Sequence, residues 1–85
     1  MKTFEFTVKD PIGVHARPAG MLSKKAKEFE SRITVRKGDK TANAERLMAL
    51  MGLCIKCGDT VTVTVTGADE DAAAEAFETL LREML

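Results

Sequence analysis

Apolar residues recur along the chain at two periods, and each period predicts a different element. In "TFEFTVK" Phe4, Phe6 and Val8 alternate with polar residues, which is the pattern of a half-buried strand. The segment "DPIG" then breaks this alternation. From Ala16 to Phe29 the apolar positions follow helical spacing, with lysines between them. Pro18 falls in the first turn of this predicted helix, where its missing N–H is tolerated.

The remainder of the chain predicts a hairpin, a short helix, a strand and a final helix. "RITVRKGDKTANA" contains two strands joined at Gly38-Asp39, a pair suited to a type II′ turn. "ERLMALMGL" predicts a short helix that ends at Gly52, and "TVTVTVT" predicts a strand with its valines facing the core. "ADEDAAAEAFETLLREML" predicts a helix with an acidic start and an inward stripe of Ala73, Phe77, Leu80, Leu81 and Met84.

This order of elements, β-α-β-β-α-β-α, predicts an α+β fold with two layers, one sheet covered by helices on one face. The chain has 85 residues, enough for one domain spanning residues 1–85. Its 45% hydrophobic and 31% charged residues are a normal globular balance. No apolar run approaches the roughly 18 residues of a membrane span, and no signal peptide precedes the first strand. We therefore expect a cytoplasmic protein that does not insert into membranes.

The charges are divided unevenly along a chain whose net charge is zero. Residues 1–46 hold eleven Lys/Arg against six Asp/Glu, whereas residues 47–85 hold two against seven. Such a basic part can dock onto acidic protein surfaces. A nucleic-acid binder would need a stronger basic excess and exposed aromatic residues for stacking on bases, so we do not expect a nucleic-acid partner.

The single histidine lies in "GVHARPAG", at the start of the first predicted helix. A helix N-terminus presents unpaired N–H groups and a positive field, which disfavours imidazolium and favours a bound anion such as phosphate. Arg17 adds a planar guanidinium that can bind two phosphate oxygens. His15 and Arg17 therefore suit a histidine that accepts a phosphoryl group. The alternative is an exposed histidine without a role, which the spacing alone does not exclude.

The motif "GVHARPAG" resembles the active-site motif of the HPr family, the histidine-containing phosphocarriers of the bacterial sugar phosphotransferase system. The resemblance covers the whole chain, including the Gly38 turn, "GD" before the last strand and "GADE" before the last helix. It implies an open-faced β-sandwich with a four-stranded antiparallel sheet and three helices on one face.

The resemblance also implies roles and partners. His15 would accept a phosphoryl group on Nδ1 from enzyme I, which draws on phosphoenolpyruvate, and pass it to the A-type domain of a sugar-specific enzyme II. Arg17 would stabilise the phosphohistidine. No cofactor or metal is implied. The protein would be a carrier that depends on partner phosphotransferases, and a monomer is expected because a shuttle must expose its one active face.

The short helix carries more apolar residues than one buried stripe needs. An exposed apolar patch indicates a contact surface, and methionine adapts to several partners. We expect Leu50 to be buried and Met48 and Met51 to be at least partly exposed, although the pattern also allows all of them to be core. In the family this helix and the positions of Met21 and Leu22 form the docking face. The expected partner-binding residues are Met21, Lys24, Lys27, Arg46, Leu47, Met48 and Met51.

Arg46 departs from the family pattern. Many Gram-positive members have a serine at this position, which an HPr kinase phosphorylates to control carbon catabolite repression. Arginine cannot be phosphorylated by that enzyme, so we expect this regulation to be absent. The alternative is that Arg46 is simply a solvated residue at a helix start.

The pair Cys54 and Cys57 forms a C-x-x-C motif, "CIKC". Such a pair can be a redox motif or half of a zinc site. Zinc usually needs four ligands, and thioredoxin-like chemistry needs the motif at the start of a helix, whereas this pair follows one. We interpret the cysteines as two small packing residues in a reducing compartment, with a disulfide on oxidation still compatible with the spacing.

Two functional hypotheses remain from the sequence. The first is a phosphoryl carrier that works through His15. The second is a regulatory or interaction module that uses the same fold and the surface around Leu47, Met48 and Met51 without being phosphorylated. His15 with Arg17 favours the first, because a purely regulatory module has no need of them.

Overall fold

The structure is a computed structural model that describes residues 1–85. The order of elements is the predicted β-α-β-β-α-β-α. The strands are β1 (Lys2–Thr7), β2 (Arg32–Lys37), β3 (Lys40–Asn43) and β4 (Thr60–Thr66). The helices are α1 (Ala16–Ala26), α2 (Leu47–Gly52) and α3 (Glu70–Met84).

Helix α1 is shorter than the apolar spacing predicted. It ends at Ala26 rather than Phe29, because the N–H groups of Glu28 and Phe29 donate to carbonyls only three residues earlier. This tighter final turn still leaves Phe29 packed against the core, half-buried. The apolar spacing therefore correctly predicted that Phe29 packs against the core, although Phe29 lies outside the helix.

The four strands form one antiparallel sheet in the order β1-β4-β2-β3. Strand β4 lies in the interior of the sheet, between β1 and β2, and its Val63 is opposite Phe4 on one side and Val35 on the other. All three valines of β4 are buried, as predicted. The threonines of β4 are exposed or half-buried on the opposite face, which the helices leave open.

The hairpin between β2 and β3 has the predicted two-residue turn. Lys37 pairs with Lys40, so only Gly38 and Asp39 connect the strands. Gly38 has φ of 61°, whereas Asp39 is not among the residues with positive φ. A positive φ at the first of two turn residues is the requirement of a type II′ turn.

The helices cover one face of the sheet and share its hydrophobic core. Phe77 of α3 and Leu50 of α2 are essentially inaccessible, together with Ile33 of β2. The predicted stripe of α3 is correct for Ala73, Phe77 and Leu81, while Leu80 and Met84 are only half-buried at its margin. No helix has the length and hydropathy that crossing a bilayer requires.

A carboxylate joins the start of α3 to the start of β2. Asp69, the N-cap of α3, accepts hydrogen bonds from the backbone N–H groups of Glu30 and Ser31 at 2.9 Å each and from the Ser31 hydroxyl. The Ser31 hydroxyl, followed by the Glu30 N–H, lowers the pKa of Asp69 below its usual value. The ionised Asp69 therefore stabilises the fold at this junction.

Candidate functional site

The loop before α1 is folded by local hydrogen bonds that Asp10 accepts. Its Oδ1 accepts the Ile12 N–H at 2.8 Å, and its carbonyl accepts the Gly13 N–H at 3.0 Å. Aspartate commonly forms such turns with the backbone two residues further on. The chain therefore reaches His15 through a fixed turn.

Gly13 lets this loop lie directly against the segment after α2. Its φ is 79°, and a Cβ placed there would lie 2.5 Å from the Ile55 carbonyl oxygen and 2.8 Å from the Lys56 Cα. The next residue, Val14, donates its N–H to the same Ile55 carbonyl at 3.0 Å. Only glycine permits this approach at this backbone angle. The backbone of Ile55 and Lys56 thus positions the residues that lead into His15.

His15 is the N-cap of α1. Its backbone is extended, with φ of −124° and ψ of −173°, and its carbonyl accepts the Ala19 N–H at 2.9 Å. Its side chain is half-buried and makes no capping hydrogen bond, so the ring nitrogens are not used to close the helix. Sequence analysis placed His15 at this helix start, and the structure agrees.

The start of α1 favours an anion. The N–H groups of Ala16 and Arg17 precede the first intrahelical bond, which Ala19 donates, so they are among the free donors of the helix start. The Arg17 side chain is exposed and takes part in none of the five ion pairs of the chain. Its guanidinium is therefore not engaged by any carboxylate of the chain.

Helix α2 runs beside α1 in the opposite direction. Just before α2 begins, the Glu45 carbonyl accepts a hydrogen bond from the buried Ser23 hydroxyl of α1 at 2.7 Å. Beyond the end of α2, the Ile55 carbonyl accepts the Val14 N–H next to His15. These two contacts place the two ends of α2 beside the two ends of α1, so that α2 lies next to the site.

Apolar side chains are exposed on both helices. Met48 is 76% exposed, Met21 44% and Leu47 38%, whereas Leu50 is 1% exposed and Met51 half-buried. The expected division within α2, with Leu50 inside and the methionines presented, is confirmed. The expectation that Leu22 belongs to an accessible face is wrong. It is 3% exposed, because it follows Met21 by one position and so points toward the core.

Basic side chains accompany this apolar surface. Lys24 and Lys27 are exposed on or just after α1, and Arg46 is the exposed N-cap of α2. None of the three forms an ion pair within the chain, while the neighbouring Lys25 pairs with Glu28 at 3.3 Å. Their positive charges are therefore not neutralised internally and remain available to an acidic partner.

Sequence reasoning missed Ile12 as a surface residue. It is 70% exposed and lies three positions before His15 in the sequence. It lies in a turn, where no period marks apolar positions as inward or outward. An isoleucine inside a "DPIG" turn signal is the one sign that could have identified it.

The interpretation of the cysteines as packing residues is wrong. Cys54 and Cys57 are both free and exposed, because they flank Ile55, which takes the buried position in this segment. No group of three or more His, Cys, Asp or Glu side chains is placed to hold a metal ion.

Comparison with known proteins identifies the family of the chain. Residues 2–83 match the family described as the PTS HPr component phosphorylation site. The chain belongs to the HPr family. It is 52% identical over 84 residues to the phosphocarrier protein HPr of Lysinibacillus sphaericus, a match covering 99% of this chain and 96% of that protein.

Solved HPr structures share the fold. The histidine-containing phosphocarrier protein of a Mycoplasma superposes with a TM-score of 0.94 at 34% identity, covering 96% of this chain and 93% of the other. An HPr dimer from Thermoanaerobacter tengcongensis gives a TM-score of 0.78 at 35% identity, covering 98% and 95%. The chain is thus an HPr phosphocarrier of the phosphotransferase system, with the four-stranded antiparallel sheet and three helices of that family.

Proposed function

We propose that His15 accepts a phosphoryl group from enzyme I on its Nδ1 atom and passes it to the A-type domain of a sugar-specific enzyme II. The observation that carries this proposal is the position of His15 as the N-cap of α1, with a ring that makes no capping bond and free backbone donors next to it. In this proposal the chain itself binds no cofactor or metal. The group is carried as a covalent phosphohistidine.

The chemistry needs only one bond to form and one to break in each transfer. A bond from phosphorus to the His15 nitrogen forms as the bond from phosphorus to the donor breaks, and the reverse exchange delivers the group to the acceptor. The negative oxygens lie near the helix start, where the N–H groups and the dipole stabilise them. The Arg17 guanidinium adds charge-assisted hydrogen bonds to the same oxygens.

We further propose that both partners dock on an apolar surface formed by the exposed Met21, Leu47 and Met48 and the half-buried Met51. A small set of apolar anchors surrounded by a charged rim is a common arrangement in transient interfaces. Lys24, Lys27 and Arg46 supply a positive rim that attracts acidic partner surfaces and speeds association. The exposures of these side chains and the absence of internal ion pairs support this role.

We propose that an HPr kinase does not phosphorylate this protein on serine. The family resemblance implies that Arg46 occupies the position of the regulated serine, and arginine has no hydroxyl group. The two serines of the chain, Ser23 and Ser31, are 4% and 2% exposed and both donate side-chain hydrogen bonds. No other serine is available to such a kinase.

We propose that the carrier works in the cytoplasm as a monomer, with residues 1–85 forming its single domain. Both partners must reach the same face in turn, and a monomer leaves that face free. Because a relative forms a dimer, the oligomeric state is measured by light scattering after size exclusion, where a stable dimer would contradict this part of the proposal.

The central test is the phosphorylation of purified protein. With enzyme I, Mg²⁺ and phosphoenolpyruvate, intact-mass measurement is expected to show one added phosphate that is lost in acid. His15→Ala is expected to fold normally, with the circular dichroism of the parent, and to take up none. Arg17→Ala is expected to keep the acceptor but to be phosphorylated at least about tenfold more slowly. Uptake by His15→Ala would show that another residue is the acceptor.

The regulatory part is tested separately with an HPr kinase and ATP. The parent protein is expected to stay unmodified, and Arg46→Ser is expected to gain one acid-stable phosphate. A stable phosphate on the parent would overturn this part of the proposal without affecting the role of His15.

A further inference from the structure

Cys54 has a backbone conformation that suits glycine. Cys54 follows the C-cap residue Leu53 of α2 and has φ of 52°, the only positive φ among the non-glycine residues. A Cβ in this left-handed region is strained, and glycine is the usual residue after a helix. Its exposed side chain gains little from packing. The strain is therefore not explained by the core.

The second thiol, Cys57, follows Cys54 by three positions, with Ile55 and Lys56 between them. Cys57 is exposed, and its Sγ donates weakly to the Lys9 carbonyl at 3.6 Å. Between the two cysteines, the Ile55 carbonyl accepts the Val14 N–H, and the Ile55–Lys56 backbone lies against Gly13. The two thiols thus flank the backbone that positions the residues leading into His15.

The surrounding turn ties the same segment to Val8, the residue that follows β1. The Lys56 N–H donates to Asp59 Oδ2 at 2.8 Å, and the Asp59 N–H returns to the Lys56 carbonyl at 3.0 Å. Val8 exchanges bonds with Gly58 and Asp59 at 2.7 and 2.9 Å. A change in the backbone at residues 54–57 therefore reaches the loop before α1 through several contacts.

We propose that Cys54 and Cys57 form a dithiol site that reacts with low-molecular-weight disulfides, and that the resulting disulfide slows phosphorylation of His15. The first half concerns the thiols alone. The second half rests on the proposed function of His15.

The reaction is two successive thiol–disulfide exchanges with a disulfide RSSR such as oxidised glutathione. One cysteine thiolate attacks RSSR, forming a protein–SR mixed disulfide and releasing RS⁻. The second cysteine thiolate then attacks the protein sulfur of that bond and releases the second RS⁻. The two thiol protons end on the two RSH products. The dithiol loses two electrons, and RSSR gains them.

Closing the disulfide changes the supporting segment. A disulfide requires a sulfur–sulfur distance of about 2.05 Å, whereas both thiols are free in the structure. Cys57 Sγ must leave the Lys9 carbonyl, and the backbone of Ile55 and Lys56 becomes part of a small covalent ring. We expect this to weaken the bond between the Val14 N–H and the Ile55 carbonyl. A displaced reacting group can slow a reaction greatly, and we expect phosphorylation to slow about tenfold.

The thiol half is tested first, by equilibrating the reduced protein in glutathione buffers of rising oxidised fraction. Intact mass after alkylation of remaining thiols is expected to show the loss of two hydrogens and no alkylated cysteine. Cys54→Ser and Cys57→Ser are the matched controls, and each is expected to give only a mixed disulfide with glutathione. Failure of the parent to form the internal disulfide at any ratio would overturn the proposal.

The coupling to the site is tested on the oxidised and reduced parent. Amide hydrogen exchange at Val14 is expected to be faster in the oxidised protein, a readout that does not depend on phosphorylation. Phosphorylation by enzyme I is expected to be about tenfold slower after oxidation, to recover with a reductant, and to be unaffected by oxidant in Cys57→Ser. Equal rates for both forms would overturn the coupling. If the reduced parent itself takes up no phosphate, the proposed function of His15 fails, while the mass and exchange results still decide the thiol site.

Discussion

Replacing Gly13 by alanine tests whether the contact with Ile55 positions the site. The φ of 79° alone makes an added Cβ unfavourable by about 1–2 kcal/mol. The Cβ would also lie 2.5 Å from the Ile55 carbonyl oxygen, whereas ordinary contacts begin at 3.4 Å, a shortfall of 0.9 Å. Ile55 is 4% exposed and the clashing atoms are backbone, so relief needs a shift that costs about 1–3 kcal/mol.

Together these effects predict a loss of about 2–5 kcal/mol, from a total stability of about 4–13 kcal/mol for a domain of this length. A loss near 3 kcal/mol corresponds to a fall in Tm of about 12–24 °C. Urea denaturation followed by circular dichroism measures the free energy of unfolding, and calorimetry measures Tm. Where Gly13→Ala remains folded, we also expect slower phosphorylation by enzyme I, because the hydrogen bond from the Val14 N–H to the Ile55 carbonyl must lengthen or break.

Two other glycines separate the backbone effect from the clash. Gly38 has φ of 61° but no atom within 4 Å of an added Cβ, so Gly38→Ala is expected to lose only about 1–2 kcal/mol. Gly20 lies within α1 with nothing near its added Cβ, so Gly20→Ala is expected to gain about 0.5–1 kcal/mol. If Gly13→Ala loses no more stability than Gly38→Ala, the close contact with Ile55 does not constrain this loop.

Three further changes test single contacts. The pKa of Asp69 is lowered in the folded state, so its contribution to stability is full above the ordinary carboxyl pKa and is lost as pH falls through the lower folded value. In acid titrations of stability, Asp69→Asn should therefore show a weaker pH dependence in this range than the parent. Equal curves would refute the role of the Ser31 bond. Ser23→Ala leaves the Glu45 carbonyl without its buried donor and should lower the unfolding free energy by about 1 kcal/mol in urea denaturation, whereas no loss would argue against this link between α1 and α2. Cys54→Gly removes a strained Cβ and should raise the unfolding free energy by about 1 kcal/mol, and a lower value would mean that the thiol itself stabilises the fold.

Elements with a clear period were predicted well from the sequence. In β4 the alternation of valine with threonine follows directly from a strand whose two faces meet core and solvent, so the buried set could be named residue by residue. The turn at Gly38-Asp39 was equally local, since its φ requirement is met within two residues. His15 could be placed because Pro18 marks the first turn of a helix three residues later.

The errors occurred where a residue's surroundings are set by distant parts of the chain. Cys54 and Cys57 were interpreted as packing residues because cysteine is often buried, yet Ile55 takes the buried position and leaves both thiols outside. No local pattern shows which residue of an irregular segment is buried. That choice depends on Ile55 meeting Val14, 41 positions earlier.

The same reasoning explains why the residues that position the site were harder to predict from the sequence than its reactive groups. His15 and Arg17 are two positions apart and share one helix start, so both could be assigned to it from the local sequence. Gly13, by contrast, is required by the carbonyl of Ile55, which reaches it only when α2 lies beside α1. A sequence therefore reveals chemistry carried by neighbouring residues more readily than the long-range contacts that hold it in place. Substitutions of Gly13 or Ile55 should accordingly affect the carrier even though His15 and Arg17 themselves remain unchanged.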